Sequence, residues 1–145
     1  MQLKLMVVDD DPLHGEVLRR VFAEHTDVDV TYFQSATDAL EELESTRRSR
    51  LPHLLLLDLR MPGLDGHAMQ ERLCAHQLLS TVPVVVLSGS SLDVDRERSY
   101  ALGASLYLPK PDELSQLREL IAHLVGLWQF VLPRPGGAPA PSVVA

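Results

Sequence analysis

Two stretches of this chain, Leu54-Leu55-Leu56-Leu57 and Val84-Val85-Val86-Leu87, are apolar at every position, so a strand built from either presents hydrophobic side chains on both faces. Such strands need cover on both sides, and a parallel sheet flanked by helices supplies it. The rest of the sequence fits that demand. Five runs, residues 3–8, 28–33, 53–57, 82–87 and 105–108, read as strands. Between them lie longer segments with apolar residues three and four positions apart, the alternation expected of β-α units. Leu13, Val17 and Val21 mark the buried stripe of the first helix, and Ala36, Ala39, Leu40 and Leu43 that of the second. The third helix begins near Asp65-Gly66 and carries Met69, Leu73 and a half-buried Cys74. The fourth, residues 93–102, is the most polar and is expected to be mobile. The fifth turns Leu114, Leu117, Ile121, Leu124, Val125 and Trp128 to one face. Asp112 and Glu113 stand at its start, where the helix dipole favours negative charge, and it is expected to pack at the first strand's edge of the sheet. The fold class is therefore α/β, a doubly wound five-stranded parallel sheet.

Length and composition narrow the function classes. A chain of 145 residues fits one domain, and a domain of this size buries roughly two thirds of its unfolded surface. Residues 1–130 are assigned to that domain, and residues 131–145, with Pro133, Pro135, Gly136, Gly137, Pro139 and Pro141, to a flexible tail. No apolar run approaches the roughly 20 residues needed to span a bilayer. Met1 to Val8 lacks the apolar stretch and cleavage site of a secretory signal, so a cytoplasmic location is expected. With one cysteine, an internal disulfide and a thiolate zinc cluster are excluded. The net charge is −7, and the basic run Arg47, Arg48, Arg50 is short, which argues against nucleic acid as a direct partner. The six histidines show no metal-binding spacing and receive no role.

In an open parallel sheet, functional groups gather beyond the carboxyl ends of the strands. Here those ends carry Asp9-Asp10-Asp11, Asp58, Ser88-Gly89 and Pro109-Lys110-Pro111. Carboxylates held close together repel one another unless a cation lies between them, and hard oxygen donors suit magnesium. Such an ion, with Lys110 and the Ser88 hydroxyl, would also bind phosphoryl oxygens, and a carboxylate nucleophile completes a phosphoryl-transfer set. Asp58 is the better nucleophile because it follows the most apolar strand and precedes the Met61-Pro62-Gly63-Leu64-Asp65-Gly66 turn. The competing explanation is that Asp9 to Asp11 merely cap the first helix ahead of Pro12 and that Asp58 caps a turn. The coincidence of all these groups at successive strand ends weighs against it.

Three separated motifs carry a family resemblance over about residues 1–125: Val7-Val8-Asp9-Asp10-Asp11-Pro12, the stretch Leu57-Asp58-Leu59-Arg60-Met61-Pro62-Gly63-Leu64-Asp65-Gly66, and Leu106-Tyr107-Leu108-Pro109-Lys110-Pro111. In that order they resemble the acidic pair, phosphoacceptor loop and lysine segment of the receiver domain of bacterial two-component response regulators. The resemblance implies strand order 2-1-3-4-5 and a phosphoacceptor at Asp58. It implies Mg2+ held by Asp10 directly, by Asp9 partly through water, by Asp58 and by the main-chain carbonyl of Arg60. Ser88 becomes the switch hydroxyl, Lys110 its cationic partner, and Tyr107 the aromatic that turns inward when Ser88 moves.

Serine at position 88 and glycine at 89 replace the commoner threonine and alanine, a change the family tolerates. Arg60 and Ser90 occupy the two positions that tune dephosphorylation. The implied phosphodonor is a sensor histidine kinase, a phosphotransfer protein or a small molecule. The implied output is a downstream protein reading the surface of helix four, strand five and helix five. On this reading the chain is a switch that catalyses only its own modification. Aspartyl-phosphate hydrolases also use magnesium and a strand-end aspartate, but they place the nucleophile after the first strand, a second aspartate two residues on, and a lid domain. A receiver-like binding platform normally loses an acidic residue or the lysine, and this chain keeps them all. Trp128, Phe130, Val131 and Leu132 extend the last helix with apolar side chains, to be packed locally or offered to a second copy of the chain.

Overall fold

The computed structural model describes residues 3–58 and 66–131. Strands β1 (Leu3–Val8), β2 (Val28–Phe33), β3 (Leu54–Leu57), β4 (Val84–Ser88) and β5 (Leu106–Pro109) form one parallel sheet in the order β2-β1-β3-β4-β5. They alternate with helices α1 (Pro12–Phe22), α2 (Ala36–Ser45), α3 (Gly66–Ala75), α4 (Asp93–Ala101) and α5 (Leu114–Trp128). Among the described residues no helix is long and apolar enough to cross a membrane. The tail expected at residues 131–145 lies, apart from Val131, outside the described residues.

The unbroken apolar strands divide their side chains between two cores. Leu54 and Leu56 join Leu3, Leu5, Val7, Val85 and Leu87 beneath α1 and α5, while Leu55 and Leu57 join Met6, Val8, Val84 and Val86 beneath α2 and α3. Alternate residues of a strand point to opposite faces, so both halves of each run are used. All four residues of β3 are buried. The outer strand β2 alternates half-buried and exposed positions along most of its length.

Local signals set the helix ends. Asp11 caps α1, its side chain accepting the Leu13 N–H at 3.0 Å, with Pro12 opening the helix. Ser35 caps α2 by accepting the Asp38 N–H at 3.3 Å. At the end of α4, Gly103 adopts φ +97°. Its N–H reaches the Tyr100 carbonyl and that of Ala104 the Ser99 carbonyl, each at 3.0 Å, a Schellman closure that favours glycine.

The structure corrects several expected faces. Leu13 is 80% exposed and Leu114 47% exposed, while Leu18 and Phe22 join Val21 in burying α1. Pro12 fixes the start of α1 so that Leu13 stands in its first turn, beyond the end of the sheet. Cys74 is exposed, and α3 buries His67 and Gln70 beside Met69 and Leu73. β1 is not an edge: β2 flanks it, and α5 lies beside α1 across the covered face. Trp128 is buried with its indole N–H donating to the His53 carbonyl at 3.2 Å, Val131 packs on the same core, and Phe130 is 76% exposed. Leu132 lies outside the described residues.

α4 is seated differently, for Ser99 is its only buried residue. Ser99 Oγ donates to Gln70 Oε1 at 3.1 Å, its carbonyl accepts from Gln70 Nε2 at 3.1 Å, and His67 Nε2 lies 3.3 Å from both Ser99 Oγ and the Asp95 carbonyl. α4 thus docks on α3 through hydrogen bonds rather than an apolar stripe.

Two expected outcomes follow from this packing. Ile121, fully buried in α5, should lose about 2–5 kcal/mol on truncation to alanine, whereas Leu13→Ala should stay within about 0.5 kcal/mol; urea unfolding of both variants measures the contrast. Burial pushes the Tyr32 phenol up to about 12, against the Arg19 guanidinium 4.2 Å from its ring centroid. The folded state therefore keeps a proton that the unfolded chain releases near 10.0. Stability is full below that pH and falls as pH rises towards 12, and phenolate absorbance with a Tyr32→Phe control reads the shifted group.

Candidate functional site

The ladder places the site residues side by side. β1 and β3 pair Val8 with Leu57, and β4 and β5 pair Ser88 with Pro109. One residue further on, the Asp9 N–H donates to the Phe33 carbonyl at 3.0 Å, the Asp58 N–H to the Val8 carbonyl at 3.0 Å, and the Lys110 N–H to the Ser88 carbonyl at 2.9 Å. Each functional residue is anchored by the last backbone bond of its strand before its side chain leaves the sheet.

Asp9, Asp10 and Asp58 each offer a carboxylate oxygen, and these oxygens lie within 4.8 Å of one another. Asp9 and Asp58 are each 5% exposed, and Asp10 is half-buried. Lys110 Nζ donates to Asp58 Oδ2 at 3.0 Å and lies 3.5 Å from Asp9 Oδ2. Asp9 Oδ1 accepts the Asp11 N–H at 3.0 Å, and Asp9 Oδ2 is bonded to His14 Nδ1. Burial alone would raise the Asp9 pKa, but the His14 and Asp11 hydrogen bonds and the Lys110 charge outweigh it and hold the carboxyl below its ordinary 3.8. Asp9 is therefore ionised at neutral pH. Since Asp11 rather than Asp9 or Asp10 caps α1, helix capping does not account for the acidic pair.

Three converging hard oxygen donors, one of them held in its anionic form, fit a divalent ion such as Mg2+. Single-cation neutralisation by Lys110 leaves a net negative site. The Arg60 carbonyl and the turn through Asp65 lie outside the described residues.

Ser88 is fully buried, its Oγ accepting the Ser90 N–H at 3.1 Å. Ser90 Oγ in turn donates to Asp95 of α4 and accepts the Leu92 N–H at 3.3 Å. The Tyr107 hydroxyl donates to the Ser90 carbonyl at 2.9 Å, and the Tyr107 N–H donates to the Tyr100 hydroxyl at 3.0 Å. Tyr107 thus faces inward, and Ser88, Tyr107 and α4 all meet at Ser90.

Sequence reasoning gathered Asp9, Asp10, Asp58, Ser88 and Lys110 at this rim, where their strand ends bring them, while Tyr107, implied by the family resemblance, stands within β5 with its hydroxyl on Ser90. It missed His14 on Asp9 and the buried His67 beneath α4. No metal-binding spacing marks either one, and only their place in the fold reveals them. His53 is also buried, its Nδ1 accepting the Lys4 N–H at 2.9 Å. A cavity of about 550 Å3 opens elsewhere, beside β1 and α2, but its lining mixes Lys4, Arg47 and Arg50 with Asp29 and Glu42 and offers no convergent chemistry.

The response regulator receiver domain family matches residues 5–122. The chain belongs to this family. It is 30% identical to FilR2 of Methanothrix harundinacea (strain 6Ac), described as a probable methanogenesis regulatory protein, over 92% of this chain and 88% of that one. Among solved structures it is similar to the phosphorylated cyanobacterial phytochrome response regulator RcpA, with a TM-score of 0.82, 27% identity and coverage of 90% and 96% of the two chains. It is also similar to the Mn2+-bound form of the response regulator Rcp1, with a TM-score of 0.80, 26% identity and coverage of 90% and 97%. The chain spans only 53% and 25% of two other curated relatives, Rre1 of Synechocystis and NtrC of Escherichia coli. Membership in this receiver family implies phosphorylation on aspartate and a signalling role.

Because Lys110 offsets the charge of Asp9 and Asp58, Lys110→Met should destabilise the metal-free protein by about 1–3 kcal/mol by removing a charged hydrogen-bond donor from two buried carboxylates. Adding Asp58→Asn to that variant should restore part of the loss. Urea unfolding in the presence of a chelator measures both steps.

Proposed function

We propose that the chain is a phosphorylation switch whose acceptor is Asp58. The observation that carries this reading is the Lys110 ammonium 3.0 Å from Asp58 Oδ2 beside two further carboxylates. An Asp58 carboxylate oxygen attacks the phosphorus of a phosphohistidine or a small phosphodonor. The new O–P bond forms as the P–N bond, or the donor's own P–O bond, breaks and the leaving group departs with its electron pair. Asp9, Asp10, Asp58 and the Arg60 carbonyl would hold Mg2+, which when bound neutralises charge on phosphoryl oxygens. The Mn2+-bound Rcp1 supports a divalent ion at such a centre.

Lys110 and Ser88 bind the remaining phosphoryl oxygens. To reach them, Ser88 Oγ gives up the Ser90 N–H, and Tyr107 and α4 respond through their shared contacts with Ser90. The surface of α4, β5 and α5 carries the output to a protein partner. The phosphodonor is a sensor histidine kinase, a phosphotransfer protein or a small phosphodonor, and the chain acts in the cytoplasm. The chain catalyses only its own phosphorylation and dephosphorylation, turns over no separate substrate and makes no direct contact with DNA.

Titration with beryllium fluoride, which imitates an acyl phosphate, tests this in wild type and Asp58→Asn with Mg2+ present. Saturable, magnesium-dependent NMR shifts at Tyr107 and the α4 amides are expected in wild type alone. Silence in both proteins would leave a receiver-shaped binding platform.

A further inference from the structure

We propose that His14 is a positioning residue of the divalent-ion centre, holding the Asp9 carboxylate in the orientation that binds the ion. The inference rests on the reading of Asp9, Asp10 and Asp58 as that centre.

His14 is the third residue of α1, and its ring reaches back over the helix start to bond Asp9 Oδ2 through Nδ1. A carboxylate only accepts, so Nδ1 carries the hydrogen. The Asp11 N–H takes the other oxygen, Oδ1. The first turn of α1 therefore grips Asp9 at both oxygens, and the Lys110 ammonium lies 3.5 Å from Oδ2. His14 is not itself among the group of converging donors, which comprises Asp9, Asp10 and Asp58. It is a hydrogen-bond partner of one of them, and such partners of a ligand fix its direction and basicity.

The other ring nitrogen makes the case sharper. His14 Nε2 is buried and has no hydrogen-bond partner among the described residues. An unmatched buried polar atom is destabilising, and a leucine or methionine would fill the same space without that penalty. Among the described residues the ring's one polar contact is to Asp9. A side chain that carries a penalty at one nitrogen and serves a metal-site carboxylate with the other is explained by the carboxylate. A role confined to capping fails, because Asp11 already caps α1.

The test compares Mn2+ and Mg2+ binding in wild type, His14→Leu, His14→Ala and His14→Asn, with free Mn2+ counted by electron paramagnetic resonance and Mg2+ followed by calorimetry. Asparagine places an N–H donor where Nδ1 stands. His14→Leu and His14→Ala should weaken binding about 10- to 100-fold, and His14→Asn should recover most of it. Circular dichroism without metal confirms that each variant folds, and alanine, a strong helix former, carries the comparison if leucine does not fold. Equal affinity in all four proteins, tighter binding in the alanine variant, or no recovery with asparagine would overturn the inference while leaving the metal centre intact. Wild type that binds neither ion, or binds it equally well as Asp58→Asn, would overturn the metal reading and this inference with it.

Discussion

Two nearly buried carboxylates next to one another are unstable unless something positive stands between them, and the rim of this sheet is organised around that requirement. Asp9 and Asp58 are each only 5% exposed, at the ends of adjacent strands whose preceding residues are fully buried. Water cannot screen their repulsion as it would on a surface. Lys110 supplies one positive charge from the far side of the sheet, and reaches both because β5 ends one residue before it. One lysine against three aspartates leaves an excess of negative charge. Three converging oxygen donors carrying that excess fit a divalent ion such as Mg2+.

The apolar strands make this arrangement rigid. Because β3 and β4 are covered on both faces, moving Asp58 or Ser88 along the strand axis would drag leucines and valines out of two cores at once. A one-residue slip would exchange the two faces of each strand. The cores therefore fix the register, the register fixes the last ladder bonds, and those bonds fix where the carboxylates and hydroxyl emerge. Precision at the rim is inherited from burial some distance away.

This also explains which parts were legible in the sequence. Strand position could be read because unbroken apolar runs have few alternatives, and β1 and β2 fall on their expected residues, while β3 starts one residue later and β4 and β5 shift by one or two positions at both ends. The strand-end site residues followed from the same logic. Helix faces were less legible. A three-to-four spacing identifies a stripe, but how far the stripe is rolled towards the sheet depends on neighbours, and so Leu13 and Leu114 were misplaced. The polar seat of α4 on His67, Gln70 and Ser99 was invisible for a related reason. Buried polar residues carry no periodic signal, and only the fold shows that their hydrogen bonds close on one another.

That polar seat has a mechanical consequence. An apolar stripe resists displacement through many small contacts, whereas a helix held by a few hydrogen bonds can exchange them for water at modest net change in free energy. α4 is held in this second way, and one end of its network is Ser90, which also touches Ser88 Oγ and the Tyr107 hydroxyl. Ser88 and α4 are therefore linked through Ser90 by hydrogen bonds. By contrast, α5 packs Leu117, Ile121 and Leu124 against the sheet. The fold combines an apolar face that sets the site with a hydrogen-bonded one beside it, and the two meet at Ser90.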